Sequence, residues 1–372
     1  MKTSLQRGWD RARMIAWTIW TFSLTLGLLV MNSNLQAGGE HQILELRNVT
    51  LEGGKTLPTA KLSYVTHGTL NAEKSNAILA LSFFAADHHG YDFLIGTGKA
   101  LDPASYFIIV TDMLGNGLSS SPSNSAPPFA GAAFPEISTR DNVQASHQLV
   151  TERFGIKRLK AIIGFSMGAQ QAFQWAVSHP DSMEAVVCYC SSAKEYPHGV
   201  VRLEGFKSAV MADGAFAGGN YSKPPVTGLK AGGRHWAAWG FSQEWYRREL
   251  YKQFGHKTIE EHLQKFWEPF FVAQDANNLL TQAVTWQKNN VGNTFGFNGD
   301  HEAALKSIKA QVLYMPCQTD LYFPPAYAEE ESRHISNVKL LPIPSIWGHV
   351  AGLGINSADA EFLNVSIKDF LK

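Results

Sequence analysis

The chain has 372 residues, with 32 Lys+Arg against 32 Asp+Glu, 45% hydrophobic residues and only 17% charged ones. A composition this apolar excludes a largely disordered polymer, and the balanced charge argues against a dedicated nucleic-acid binder. The 32 Gly and 16 Pro follow no fixed period, which excludes collagen-like and solenoid repeats and leaves a compact enzyme or small-molecule binder.

Residues 1–37 read as an export signal that is not part of the fold. Lys2, Arg7, Arg11 and Arg13 precede an uncharged apolar run of 17 residues, Ile15 to Met31. A small residue, Ala37, then ends a polar stretch where cleavage is expected. The alternative is an uncleaved anchor over residues 15–31, since a run of this length sits at the lower edge of what spans a bilayer. The expected destination is the periplasm or the medium.

From about residue 40, short β-rich runs alternate with helical stretches. Near-continuous apolar runs predict buried strands over Ala77–Phe84, Tyr106–Thr111, Ala161–Gly164, Ala185–Cys190, Gln311–Met315 and Lys339–Ile343. Helical patterns cover Asn142–Phe154, Gly168–Ser178 and Tyr327–His334. This alternation predicts an α/β fold with a mostly parallel central sheet flanked by helices. Its core spans residues 40–195 and 301–372. The segment 196–300 breaks the alternation with helices carrying Trp236, Trp239, Trp245, Trp267 and Trp286, as expected of a helical cap above an apolar pocket.

Three cysteines follow the signal: Cys188, Cys190 and Cys317. All three read as small buried hydrophobes, and an odd number in an exported chain leaves at least one thiol free. If Ala185–Cys190 is a strand, Cys188 and Cys190 point to one face.

The sharpest local signal is Gly164-Phe165-Ser166-Met167-Gly168, placed between the run Ala161–Ile163 and a helical pattern. A G-x-S-x-G turn between strand and helix is a nucleophile elbow, which exposes the serine hydroxyl at a helix N-terminus. Such a serine needs a base and an acid that orients it, expected in the chain order Ser, Asp or Glu, His. Asp320 follows the strand Gln311–Met315 and His349 follows Lys339–Ile343, so both lie in loops at strand C-termini, where open α/β sheets place their sites. Oxyanion donors are expected from the backbone N–H of Met167 and of Phe84 or its neighbour Ala85. Asp87-His88-His89 lacks further ligands at metal spacing, so no metal or other cofactor is expected.

Several stretches resemble the homoserine O-acetyltransferases, a branch of the α/β-hydrolase superfamily. They are Tyr64–Asn71, Asn76–Leu79, Leu94–Asp102, Phe134-Pro135 with Arg140-Asp141, Gly164–Gly168 with Gln171-Ala172-Phe173-Gln174-Trp175-Ala176, Asp320, and Ser345–His349. The resemblance implies a helical cap, dimers through that cap, and a Ser166–Asp320–His349 triad performing ping-pong acyl transfer. In the cap, Gly228–His235 resembles the family loosely, with Arg234 matching an arginine there. Arg234 and the nearby Trp236 are therefore the candidates for substrate contact. The departures point away from the transferases: Val350-Ala351-Gly352 follows the histidine where an acidic residue and a bulky pair usually stand. Acetyl-CoA and homoserine are also cytoplasmic, which fits an export signal badly.

The expectation is thus an exported hydrolase of small-molecule carboxylic esters, with water resolving the acyl-enzyme. An O-acyltransferase using acyl-CoA is the alternative, and a binding protein that keeps the fold without catalysis is the third. None of the three involves nucleic acid.

Overall fold

The computed structural model describes residues 41–372, so the segment read as an export signal lies outside the described residues. Eight strands form one sheet: β1 (Gln42–Thr50), β2 (Thr56–His67), β3 (Ala77–Leu81), β4 (Phe107–Thr111), β5 (Leu159–Phe165), β6 (Met183–Tyr189), β7 (Gln311–Met315) and β8 (Val338–Leu340). Their order is β1-β2-β4-β3-β5-β6-β7-β8. The last six in that order run parallel, while β2 pairs antiparallel with both β1 and β4. The helices used below are α1 (Thr139–Gln148), α2 (Met167–Ser178), α3 (Pro197–Met211), α4 (Val226–Gly240), α5 (Ala276–Gln287), α6 (Pro325–Ser332) and α7 (Ser357–Leu371).

Side chains on a strand alternate between faces, so each apolar run feeds two cores. Ile78, Ile108, Ile163, Val187 and Leu313 face one core, shared with Phe206, Trp236, Phe271 and Trp286 of the helical insertion. Leu79, Ile109, Ile162, Val186 and Val312 face the other, shared with Val143, Phe173 and Trp175 of α1 and α2. Burying each Ile, Leu or Val contributes about 1.5–3 kcal/mol, which is why these runs become central strands.

The boundaries depart from expectation in informative places. The hairpin β1–β2 is absent from the expected strands because its first strand, half-buried along one face and exposed along the other, forms no continuous apolar run. Strand β3 stops at Leu81, three residues before Phe84, and the chain then turns through Ala85 at φ 56°. Strand β6 stops at Tyr189, and Cys190 takes φ 49°. That turn corrects the expectation for the cysteines: Cys188 faces the α1–α2 core and Cys190 the cap-side core. All three thiols are free and buried. Helix α1 opens at Ser138, whose side chain accepts the Asp141 N–H while Asp141 returns a bond to the Ser138 N–H.

Between β6 and β7 the described chain adds no strand to the sheet. Among the described residues no helix is long and apolar enough to cross a membrane.

Candidate active site

The site is built at the C-terminal end of β5, where the chain reverses into α2. Ser166 adopts φ 53°, ψ −125°, a conformation that costs a non-glycine residue about 1–3 kcal/mol unless its surroundings enforce it. The flanking glycines leave room for it. A Cβ on Gly164 would lie 2.2 Å from the Gly168 backbone, and one on Gly168 would lie 2.1 Å from Leu81 O. Hydrogen bonds fix the rest of the turn. Ser166 N–H donates to Tyr189 O at 3.1 Å, and Ser191 Oγ donates to Ser166 O at 2.8 Å. Tyr91 Oη donates to Leu81 O at 2.6 Å and accepts from Phe165 N–H at 3.0 Å, tying the elbow to β3.

The structure brings Ser166, His349 and Asp320 together. His349 Nε2 is 3.0 Å from Ser166 Oγ, and His349 Nδ1 is 2.8 Å from Asp320 Oδ2. The carboxylate can only accept, so Nδ1 carries the proton and Nε2 is free to accept from the serine hydroxyl. Asp320 Oδ1 accepts the N–H groups of Tyr322 and Phe323 at 2.7 and 3.2 Å, which holds the carboxylate in place. The imidazole stacks on the Tyr322 ring, with centroids 4.2 Å apart. All three side chains are buried, so their charges act through little water. The neighbouring thiols do not compete as nucleophiles, because burial pushes Cys317 up to about 12 and Cys190 well above the ordinary thiol range.

The candidate oxyanion donors separate in the structure. Met167 is the first residue of α2, so its N–H lies among the orphan donors of a helix start. The Ala85 N–H is already committed, donating to Gln282 Oε1 of α5 at 2.9 Å. Ala85 therefore drops out, and Phe84, whose N–H has no partner among the described residues, stays. Phe84 also stacks on Trp236 at 4.9 Å.

Ser166 and His349 open onto a cavity of about 380 Å³ walled by Phe83, Phe84, Trp236, Trp267, Trp286 and Tyr322. Trp236 lines this cavity. Arg234 does not: its guanidinium is held by Glu260 and Glu268, at 2.5 and 2.7 Å, and does not line the cavity. On α4, two positions separate residues by about 200°, so these two cannot share a face. A larger cavity of about 530 Å³, lined by Glu52, Arg140, Asp141 and Lys288 among others, contains none of the three catalytic candidates.

Sequence reasoning passed over the side chains that hold this arrangement. Thr319 Oγ1 donates to Ser345 O at 2.9 Å and accepts from Gly348 N–H at 3.1 Å; Ser345 Oγ donates to Asp359 Oδ2 at 2.8 Å. Gln171 Nε2 donates to Ser82 O at 2.9 Å beneath the oxyanion loop. His88 and His89 pair with Asp112 and Asp92 at 2.9 Å each. Each of these bonds joins polar groups well apart in sequence, except His89–Asp92, and nothing in local spacing announces them.

Comparison with known proteins bears on the family and the fold. The α/β hydrolase fold family matches residues 83–351. An ethyl acetate hydrolase of Pseudomonas veronii is 36% identical over 329 residues, covering 88% of this chain and 93% of that protein. The crystal structure of an acetylester hydrolase from Corynebacterium glutamicum superposes with a TM-score of 0.86 at 35% identity, covering 89% of this chain and 95% of its own. A homoserine O-acetyltransferase of Chlorobium chlorochromatii is 30% identical over 336 residues, covering 86% of this chain and 92% of that protein. The chain belongs to the α/β-hydrolase family and is an enzyme of the branch in which esterases stand beside homoserine O-acetyltransferases.

Proposed function

We propose that the protein is an exported carboxylic-ester hydrolase that takes short acyl groups and works through an acyl-enzyme on Ser166. The observation that carries the reading is the hydrogen-bond chain from Ser166 Oγ through His349 to Asp320 beside an aromatic cavity. The ethyl acetate and acetylester hydrolases among its relatives support short acyl groups. The basic residues before the run Ile15–Met31 support export.

Ser166 Oγ attacks the ester carbonyl carbon while its proton passes to His349 Nε2. The carbonyl electron pair moves onto oxygen, where the N–H groups of Met167 and Phe84 donate to it. Collapse of this intermediate breaks the bond to the alkoxide, which takes the proton from His349 and leaves as the alcohol. Water then gives a proton to His349, attacks the acyl carbon and releases the carboxylic acid, and Ser166 regains its proton. Asp320 holds the imidazole tautomer and balances the cation formed in each half.

Acyl transfer from acyl-CoA to homoserine shares the first half of this reaction. Both of those substrates carry anionic groups that call for Lys or Arg, and neither residue lines the cavity. Ser166→Ala should lower kcat for p-nitrophenyl acetate by at least about 10³-fold, and a fluorophosphonate should label the wild type at Ser166 but not the variant. Retained turnover would remove Ser166 from the mechanism. With acetyl-CoA and homoserine supplied, free acetate is the expected product; O-acetylhomoserine as the main product would assign the enzyme to the transferases. N-terminal sequencing of the exported protein should begin near Gly38, and an intact Met1 in the membrane fraction would overturn cleavage.

A further inference from the structure

Behind the aromatic wall of the cavity lies an arginine that no motif announces. Arg202, on α3, is 1% exposed. Its guanidinium carbon lies 4.0 Å from the ring centre of Tyr322, 4.6 Å from that of Trp286 and 5.4 Å from that of Trp236. Those three rings line the cavity and the guanidinium does not. They come from three elements: α4, α5 and the loop after β7. Tyr322 is stacked in turn on His349, 4.2 Å away.

The charge is poorly compensated for its depth. The closest carboxylate, Glu195, is 3.7 Å from Nη2, and none of the three guanidinium nitrogens has a hydrogen-bond partner among the described residues. Glu195 instead accepts from Trp286 Nε1 at 2.5 Å and from Gln170 Nε2 at 3.1 Å. A cation taken out of water without hydrogen bonds weakens a fold more than an apolar group of the same volume, even with aromatic faces around it. Stability therefore gives no reason for a guanidinium here. Geometry does: a flat, rigid group fills the space into which three rings would otherwise retract.

Building on the reading of Ser166 as an ester-cleaving nucleophile, we propose that Arg202, with Glu195 as its nearest counter-charge, is the residue that limits acyl length. It wedges Trp236, Trp286 and Tyr322 forward against the cavity, so that an acyl chain long enough to reach this wall meets rings that cannot retract. It is a positioning residue, and it touches no reacting atom.

The test compares p-nitrophenyl acetate with p-nitrophenyl hexanoate on the wild type, Arg202→Met and Arg202→Lys. Methionine keeps the length but is flexible and uncharged, so the rings can move back. The hexanoate-to-acetate ratio of kcat/KM is expected to rise at least about tenfold in Arg202→Met, mostly through a lower KM for hexanoate, with Tm no lower than wild type. Arg202→Lys should return part of the way to the wild-type ratio. A folded Arg202→Met with an unchanged ratio overturns the proposal and leaves Arg202 a strut. Should that variant fail to fold, Glu195→Gln keeps an acceptor for the Trp286 N–H but releases the guanidinium, and the ratio should rise at least about threefold; an unchanged ratio there overturns the proposal equally. Fluorophosphonate labelling of the wild type separates the two levels. No label at Ser166 sinks the hydrolase reading itself, whereas a labelled wild type with an unmoved ratio sinks only the role of Arg202.

Discussion

Gly168 constrains the nucleophile from outside the hydrogen-bond chain. A methyl group there would meet Leu81 O at 2.1 Å and Tyr91 Oη at 2.8 Å, and no rotamer change moves a backbone carbonyl away. Gly168→Ala is therefore expected to push α2 off the sheet and to lower kcat/KM by at least about 10²-fold, because ångström-scale misplacement of a nucleophile is that costly. Steady-state kinetics on the folded fraction checks this. Tyr91→Phe acts more mildly by stranding two buried groups, Leu81 O and the Phe165 N–H. Each such loss costs about 1–3 kcal/mol, measurable as a lower urea midpoint with the same m value. The legible residues were those with a local signature. Ser166 sits in a motif with strand and helix on the correct sides, and Asp320 and His349 each follow an apolar run. Tyr91, Gln282 and Arg202 act on partners far along the chain, and a lone tyrosine or arginine in an ordinary pattern carries no mark of its neighbour.

Among the elements, the central strands were readable because burial on both faces demands continuous apolar runs. Strand β1 was not, since one of its faces is wet. The recurring tryptophans pointed to a cap, but which of them would reach the cavity depended on helix register: Trp236 lines it, whereas Trp245 is fully buried away from it. The cap also carries a pH sensitivity. His262 lies among Phe241, Trp245, Phe254 and Phe266, and its Nε2 accepts from Trp267 Nε1 at 3.2 Å. Burial first, then the nearby His256, pushes it down to about 4. The folded state thus binds a proton less readily than the unfolded chain, whose histidine titrates near 6.5. The neutral ring's stabilisation is complete above about pH 6.5 and is lost progressively as pH falls from there to about 4. His262→Phe should lose less stability than wild type between pH 7 and pH 5, by on the order of 1 kcal/mol after allowance for solvent screening. Equal losses in urea titrations at the two pH values would show that another group governs the acid limb.

On the scale of the whole molecule, the cap and the sheet share one core, because Phe206, Trp236 and Trp286 pack in the same cluster as Ile163 and Val187. They are accordingly expected to unfold as one unit at neutral pH. Tryptophan fluorescence, dominated by the cap, and far-UV circular dichroism should give coincident urea transitions; an earlier fluorescence transition would mean that the cap melts alone. The doubly covered sheet and its helical insertion were visible in the alternation of runs, while the shared core was not, because it depends on which faces meet. The placement of the insertion also has a consequence for synthesis. Ser166 is made before the cap, and Asp320 and His349 after it, so the nucleophile emerges 183 residues ahead of its base. On the proposed mechanism a nascent chain is then inert toward esters until the segment after its last strand has been made, when the chain is almost complete.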